Sequence, residues 1–145
     1  MNNARHARSF RDLLVYRKAR EVAKSIFAIS KKFPKEEVYS LTDQIRRASR
    51  SIGAQIAEAW GKRRYEKHFV SKLTDADAEQ METQHWLDMA TSCGYLAKEE
   101  KEIIETQLQE IGRMLNAMMA KAHLFCQKDI FILQEQTDTF IIEDH

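Results

Sequence analysis

The sequence predicts an all-α protein, an antiparallel four-helix bundle with up-down-up-down topology. The chain has one Pro and four Gly among 145 residues, which leaves few of the turn residues that a β-rich fold needs. Apolar residues recur at steps of three and four along four long stretches, the spacing of one buried helix face. The links between these stretches are short, and short links place consecutive helices antiparallel.

A single domain is expected for a chain of this length. We assign residues 1–126 to the bundle and residues 127–145 to a C-terminal tail. The tail, "QKDIFILQEQTDTFIIEDH", carries one Lys against five acidic residues and contains two apolar clusters, Ile130–Leu133 and Phe140–Ile142. Because exposed apolar clusters favour contact with other chains, the tail is expected to dock onto a neighbouring subunit or a partner.

The first helix is predicted from Asp12 to Lys32. Asp12 is a suitable N-cap because its carboxylate can accept hydrogen bonds from the free N–H groups of the first turn. Pro34 ends the helix, since it lacks an N–H group and disfavours helical angles at the residue before it. The predicted buried face consists of Tyr16, Ala19, Ala23, Ile26, Phe27 and Ser30.

The second helix is predicted from Glu36 to Arg63. Its predicted buried face consists of Val38, Leu41, Ile45, Ala48, Ile52, Ile56 and Ala59. Gly53 lies in the middle of this helix, where a glycine costs about 1 kcal/mol relative to alanine. A close approach by another helix is the expected reason for it.

The third helix is predicted from Glu66 to Cys93, and Gly94 can adopt the left-handed angle that closes a helix. The fourth helix is predicted from Lys98 to Phe125. The predicted buried faces are Phe69, Leu73, Ala76, Gln80, Met81, Leu87 and Ala90 in the third helix, and Ile104, Leu108, Ile111, Leu115, Met118, Ala122 and Phe125 in the fourth. The alternating steps of four and three in the fourth helix are typical of coiled-coil-like packing.

The sequence argues against a membrane-spanning or secreted protein. No run of ~20 apolar residues is long enough to cross a bilayer, and the basic start "MNNARHARSF" is not followed by the apolar core of a signal peptide. Cys93 and Cys126 lack metal-ligand spacing, and two unpaired thiols suit a cytoplasmic protein. A cytoplasmic location is therefore expected.

No group of residues in the sequence predicts catalysis, a metal or a cofactor. Glu82 and His85 have the E-x-x-H spacing of a di-iron ligand pair, but such a site needs a second E-x-x-H motif and the chain has none. There is no glycine-rich phosphate loop and no nucleophile motif. We therefore predict a non-enzymatic protein.

Charge is divided unevenly along the chain. Residues 1–64 hold 16 Lys and Arg against 6 Asp and Glu, a net charge of +10, whereas residues 65–145 hold 7 against 16, a net charge of −9. This division favours either a basic face for a polyanion or attraction between basic and acidic helices.

The candidate nucleic-acid-binding row lies on the second helix and the turn after it. Its members are Arg46, Arg50, Lys62, Arg63 and Arg64. Further basic residues on and after the first helix are Arg17, Lys18, Arg20, Lys24, Lys31, Lys32 and Lys35. Such residues suffice for phosphate contacts, but no helix-turn-helix motif or aromatic run indicates base reading. A solvated helix surface is the alternative interpretation of the row.

Two structural ion pairs are predicted between the second and third helices. Arg47 and Glu58 lie about 16 Å apart along one helix, so they cannot pair with each other. In an antiparallel hairpin that turns near Tyr65, the numbers of facing residues sum to about 130, so Arg47 lies level with residue 83 and Glu82 is its nearest counter-charge. Glu58 then lies level with Lys72. We predict that Arg47 pairs with Glu82 and that Glu58 pairs with Lys72; such pairs fix helix register more than they add stability.

Four segments of the chain resemble one known family. They are "FRDLLVYRKAREVAKSIFAISKKFP", "LTDQIRRASRSIGAQIAEAWGKR", "ETQHWLDMATSCGYL" and "EIGRMLNAMMAK", and together they span residues 10–121. Their order and spacing are similar to those of the 23S rRNA intervening-sequence protein family, also called the four-helix-bundle family. The resemblance implies a small cytoplasmic bacterial protein with an antiparallel four-helix bundle, often assembled as a homopentameric ring. It also implies nucleic-acid binding as the suggested role, and related bundles are accessory partners of reverse transcriptases.

The chain differs from the usual family pattern at five positions. Gly53 stands where the family usually has Pro, Gln55 where it has Asn, and Ala59 where it has Gly. His85 replaces an apolar residue, and Tyr65 replaces a serine. The tail after residue 126 has no counterpart in the resemblance.

Two functions therefore stay open. The first is a ring-forming RNA- or DNA-binding accessory protein. The second is a protein–protein adaptor that contacts no nucleic acid and uses its charge division only for assembly. A homo-oligomer, expected to be a pentamer, fits both, because Trp86, Met114 and Met119 lie outside the predicted buried faces and would otherwise form exposed apolar patches.

Overall fold

The computed structural model describes residues 7–126, and this part of the chain is helical throughout its regular elements. Four long helices, α1 (Leu14–Ser30), α2 (Leu41–Gly61), α3 (Glu66–Ser92) and α4 (Lys98–Ala120), are followed by a short one, α5 (Ala122–Cys126). Short 3-10 helices lie at Phe10–Asp12 and Lys35–Glu37. No strand occurs between residues 7 and 126, so the predicted all-α class is confirmed for this part.

The long helices pack into a bundle around one core. α2 lies against α1 and α3, and α4 lies against α3 and α1. The core is a single cluster of buried apolar side chains in which Ile26, Ile52 and Leu108 are fully enclosed. Phe125 on α5 stacks on Phe69 of α3 with their ring centroids 5.5 Å apart. α5 therefore extends the core past the end of α4.

Asp12 caps an earlier turn than the sequence predicts. Its Oδ2 atom accepts hydrogen bonds from the backbone N–H groups of Arg8 (2.7 Å) and Ser9 (3.2 Å), which closes a capping box at the first 3-10 helix. Leu13 then adopts an extended conformation and is buried. α1 consequently begins at Leu14 rather than at Asp12.

The buried face of α1 is shifted from the predicted one. It is formed by Val15, Ala19, Val22, Ile26 and Ser30. Phe27, predicted to be buried, is 38% exposed. Successive helix residues lie 100° apart around the axis, so the side chain after Ile26 points to the edge of the buried stripe, towards α2.

The start of α2 is also different from the prediction. Residues 35–37 form a 3-10 helix after Pro34, and α2 begins at Leu41 instead of Glu36. Glu37 Oε1 accepts a hydrogen bond from the Leu41 N–H group at 3.4 Å. Val38, predicted to be buried, is 48% exposed. From Leu41 onward every predicted position is buried, namely Leu41, Ile45, Ala48, Ile52, Ile56 and Ala59.

α3 and α4 follow the prediction with two corrections. Met81 is 57% exposed, and Thr83 takes the inward place. The fourth helix is interrupted at Lys121, so the predicted helix is divided into α4 and α5. All of its predicted core positions are nevertheless buried. Gly94 has φ +78°, and the Tyr95 N–H group donates to Ala90 O at 2.9 Å, the cap expected at the end of α3.

The close helix approach predicted at Gly53 occurs at another glycine. A Cβ atom on Gly53 would lie 3.5 Å from Tyr16 Cε1, which is an ordinary contact. A Cβ atom on Gly112 would lie 2.8 Å from Gln80 Nε2 and 3.2 Å from Asp77 Oδ1. The position that excludes a side chain is therefore Gly112, where α4 meets α3.

The predicted tail, residues 127–145, lies outside the described residues. Its docking onto a neighbouring subunit or a partner therefore stays a prediction. Within residues 7–126, no helix is long and apolar enough to cross a membrane.

Candidate nucleic-acid interface

The basic side chains of the described residues differ in their surroundings. Ion pairs to carboxylates within residues 7–126 are made by Lys18, Lys32, Arg47, Lys72, Lys98 and Lys101. In the part of the chain that the structure describes, no carboxylate pairs with the predicted row Arg46, Arg50, Lys62, Arg63 and Arg64. The row is therefore a source of positive charge that residues 7–126 do not neutralise with ion pairs.

One part of the row surrounds the exposed ring of Phe27. The Arg46 guanidinium carbon lies 4.6 Å from the ring centroid, that of Arg50 lies 5.6 Å away, and Lys31 Nζ lies 4.8 Å away. Cations over an aromatic face are attracted by its negative electrostatic potential. Arg46 is further held by a hydrogen bond of 2.7 Å from its Nε to Ser30 Oγ. Three cations therefore contact the Phe27 ring. Arg46 and Arg50 belong to α2, and Lys31 follows the end of α1.

The other part of the row lies at the turn between α2 and α3. The Arg63 guanidinium carbon is 3.5 Å from the Trp60 ring centroid, and its Nε donates to Trp60 O at 2.8 Å. Burial lowers the pKa of Arg63, yet an arginine stays charged at neutral pH. Arg64 lies 6.0 Å from the Tyr65 ring centroid, and Lys62 is exposed. At a rise of 1.5 Å per residue, Arg50 and Lys62 are about 18 Å apart along the axis of α2. The row therefore consists of two separate clusters.

A groove between α1 and α2 joins the Phe27 cluster to the N-terminal end of α1. Its volume is about 640 Å³. Phe10, Tyr16 and Phe27 supply aromatic walls, and Gly53, Ala54 and Ala57 belong to its small-residue lining. Arg20, Lys24 and Arg50 supply its positive charge. We name this feature the α1–α2 groove.

The sequence predicted Arg50 as a site residue but did not select Arg20, Lys24 or Lys31. Arg20 and Lys24 are four residues apart, which places them on one side of a helix. Phe27 follows three residues later and was assigned to the core. The spacing of Arg20, Lys24 and Phe27 therefore indicated a shared surface, but Phe27 was predicted to be buried because it also fits the spacing of the core.

Comparison with known proteins decides the family. Residues 11–117 match the family described as 23S rRNA-intervening sequence protein. The chain belongs to this family. A solved relative is a protein with unknown function from the S23 ribosomal protein family of Bacteroides thetaiotaomicron VPI-5482. It is 30% identical, with a TM-score of 0.67, over 73% of this chain and 98% of that one. No curated protein matches the chain.

One of the two ion pairs predicted between the second and third helices is present. Lys72 Nζ lies 3.2 Å from Glu58 Oε1, joining α3 to α2, and 3.6 Å from Asp75 Oδ2. The other is not formed, because Arg47 Nε pairs with Asp43 Oδ2 within α2 at 2.8 Å.

Helix rotation places Glu82 off the buried face of α3. Its neighbour Thr83 is fully buried, and one residue corresponds to a rotation of 100° around the helix. Glu82 instead accepts a hydrogen bond of 3.1 Å from the Trp86 indole N–H group. The polar tie from this part of α2 to α3 is made by the Ser51 hydroxyl, which donates to Glu79 Oε2 at 3.1 Å.

The described residues contain no group of three or more His, Cys, Asp or Glu side chains arranged to hold a metal ion. His85, which follows Glu82 at the E-x-x-H spacing, packs edge-on against Trp86 at a centroid distance of 4.6 Å. Cys93 is exposed and Cys126 is half-buried, and both are free thiols. Burial raises the pKa of the Cys126 thiol, and Glu66 adds to this effect. A raised pKa disfavours the reactive thiolate.

Proposed function

We propose that this protein is a non-enzymatic, RNA-binding accessory protein of the cytoplasm that holds phosphates on its α1–α2 face. One observation carries the proposal. Nine basic side chains of α1, its C-cap, α2 and the turn after α2 have no carboxylate partner among the described residues. Arg17 borders α4, and the other eight are Arg20, Lys24, Lys31, Arg46, Arg50, Lys62, Arg63 and Arg64. Unneutralised cations on one face attract a polyanion and release its counterions when it binds.

The proposed contacts are to the RNA backbone, so we expect little sequence preference. Phosphate contacts fix position but carry no sequence information. We also propose that the protein assembles as a homopentameric ring. One subunit offers only a few phosphate contacts, and a symmetric ring repeats them, which raises the overall affinity without any new kind of contact.

We further infer that the long helices run antiparallel in up-down-up-down order. In each packed pair, higher residue numbers in one helix meet lower numbers in the other. The contacts that support this order are Lys18–Glu110 and Lys32–Glu100 between α1 and α4, Ser51–Glu79 and Glu58–Lys72 between α2 and α3, and Lys101–Asp88 and Asn116–Asp77 between α4 and α3. The short links between consecutive helices favour the same arrangement.

The experiment that tests RNA binding removes three charges from the row. The triple variant Arg46→Gln, Arg50→Gln, Arg63→Gln is compared with the control triple Arg17→Gln, Lys98→Gln, Arg113→Gln, whose exposed side chains lie off the α1–α2 groove. Both lose three positive charges. Fluorescence anisotropy with a labelled RNA measures binding, and circular dichroism checks folding.

We expect the row variant to bind RNA weakly and the control to bind nearly as the parent does. If only the net charge of the protein mattered, both variants would lose the same RNA affinity. Equal affinities of the parent and the row variant would reject the row as the RNA-binding surface.

A protein–protein adaptor is the second candidate, and one apolar surface favours it. Tyr39 is 92% exposed, Val38 48% and Met89 42%. Tyr39, Met89 and Trp86 line one depression where the chain enters α2. Exposed apolar groups of this kind mark contacts with other proteins, and the resemblance suggests a reverse transcriptase as one such partner. The adaptor function replaces RNA binding if the parent binds no RNA at low salt.

A further inference from the structure

We infer that the α1–α2 groove holds unstacked bases of single-stranded RNA. The inference rests on the proposed RNA binding and adds to it the form of the nucleic acid and the place of its bases. The sequence offered only basic residues, which contact phosphates. The structure adds aromatic rings between those residues and an open groove of about 640 Å³.

The walls of the groove supply surfaces for stacking. Phe10 and Tyr16 pack edge-on with their ring centroids 4.9 Å apart, and Phe27 lies further along α1 with 38% of its surface exposed. Bases stack on aromatic side chains and on the planar guanidinium groups of arginines. Arg50, which lies over Phe27 and lines the groove, provides such a plane.

The lining of the groove lets a base approach closely. Ala23, Gly53, Ala54 and Ala57 carry at most one side-chain carbon each, and all of them line the groove. Its volume of about 640 Å³ lies within the range of sites that enclose small molecules, about 300–1,000 Å³. The groove is therefore shaped for flat apolar groups.

The charge around the groove matches the backbone that would carry those bases. Arg20, Lys24 and Arg50 line it, and no carboxylate pairs with them within residues 7–126. A basic groove with aromatic side chains is the arrangement that binds single strands without sequence preference. In a duplex the bases are already stacked on each other and cannot enter, so duplex RNA would use only the cations.

The test compares two probes of equal length and charge. One is oligouridylate, and the other is an abasic ribose-phosphate strand that has the phosphates but no bases. The full-length parent is compared with Phe27→Leu, which keeps an apolar side chain but removes the ring, and with Ala54→Trp, which fills the groove from an exposed position. Ala117→Trp, at an exposed position on α4, is the matched control.

We expect the parent to bind oligouridylate about 5-fold to 150-fold more tightly than the abasic strand for each base that stacks. In Phe27→Leu and Ala54→Trp this ratio falls towards one. Ala54→Trp keeps the parent's affinity for the abasic strand, and both variants keep the parent's salt dependence with that probe because neither removes a charge. Ala117→Trp keeps the parent's ratio.

Three results would overturn the inference. A ratio of one in the parent, with salt-dependent binding of both probes, rejects the base site but leaves the phosphate-binding function intact. A ratio that stays at the parent's value in both groove variants shows that bases bind elsewhere. If light scattering also shows that these variants change oligomer size, the groove is a contact between protein chains. Failure of the parent to bind either probe at low salt rejects the proposed function as well.

Discussion

Arg46 and Arg63 are anchored to their own chain through Nε, and neither pairs with a carboxylate of residues 7–126. Arg46 donates to Ser30 Oγ and Arg63 donates to Trp60 O. Each guanidinium also lies against an aromatic ring, that of Phe27 or Trp60. Such anchoring reduces the conformational entropy that an arginine loses when it meets a phosphate, so these two side chains are suited to bind an anion with little rearrangement.

Tyr95 gives a prediction about pH at the scale of one side chain. Its hydroxyl donates to Glu37 Oε2 at 2.9 Å, and this bond raises the pKa of Tyr95 to about 12. The unfolded pKa of a tyrosine is about 10. A raised pKa means that the stabilisation is complete below pH ~10 and is lost as the pH rises through ~12.

Ultraviolet absorbance of the phenolate measures this titration. The parent should show a late rise in absorbance near pH 12 that the Tyr95→Phe variant lacks. If the two proteins give the same curve apart from amplitude, the bond to Glu37 does not hold the proton.

Leu115 gives a prediction about the core. It is fully buried on α4, so Leu115→Ala should destabilise the fold by about 2–5 kcal/mol through lost burial and the cavity left behind. The control Ile103→Ala removes a similar side chain that is 64% exposed on the same helix, and it should change stability by no more than about 0.5 kcal/mol. Urea unfolding measures both. A loss under about 1 kcal/mol for Leu115→Ala would show that the site does not belong to the core.

At the scale of the helices, hydrophobic spacing predicted the buried positions of α4 and most of those of α2 and α3, but not where α1 and α2 begin. The predicted core of α4 is buried at every position even though the helix is interrupted at Lys121. The starts of α1 and α2 were wrong because Asp12 and Glu37 hydrogen-bond to particular backbone N–H groups. Either carboxylate could have served several neighbouring N–H groups, and spacing does not distinguish them.

Replacing the helix glycines Gly53 and Gly112 by alanine should change the stability of the protein in opposite directions. Gly53→Ala should stabilise the protein by up to about 1 kcal/mol, because a Cβ atom fits against Tyr16 and alanine favours the helix. Gly112→Ala should destabilise it by up to about 2 kcal/mol. Overpacking costs about 1–3 kcal/mol, and the gain in helix propensity offsets part of that. Gln80 cannot retreat easily, since its amide is bonded to Asp77 and Gln84.

Thermal unfolding of the two glycine variants and the parent compares them directly. A stabilised Gly112→Ala variant would mean that α3 and α4 move apart at little cost, contrary to the contact described at Gln80.

At the scale of the whole molecule, packing α1 against α2 collects cations that lie far apart in sequence. Arg46 and Arg50 could be predicted as one patch because they are one helical turn apart. Lys31 could not be placed beside them without knowing how α1 meets α2, and Phe27 appeared to belong to the core. The sequence thus predicted half of the candidate site, and the aromatic part required the structure.

The predicted homo-oligomer depends on different apolar side chains from those that the sequence suggested. Trp86, Met114 and Met119 are partly buried against the core, so they do not form the expected patches. Among the described residues, the exposed large apolar side chains outside the α1–α2 groove, which are free to join subunits, are Val38, Tyr39, Tyr65, Met81, Met89 and Ile103. We still propose a pentamer. Light scattering at micromolar concentration should give about five times the chain mass of 17.0 kDa, and a 17.0 kDa particle would contradict it.

The salt dependence of RNA binding tests the central claim most directly. If five side chains, Arg46, Arg50, Lys62, Arg63 and Arg64, each neutralise one phosphate, the logarithm of the binding constant should fall with the logarithm of salt concentration at a slope near −3.5 on single strands and near −4.5 on duplex. The Arg46→Gln, Arg50→Gln, Arg63→Gln variant loses three of these contacts, so its slope on single strands should be shallower than the parent's by about 2.1. A parent that binds no RNA at low salt, or binds it with a slope near zero, would contradict the account and leave the adaptor as the function to pursue.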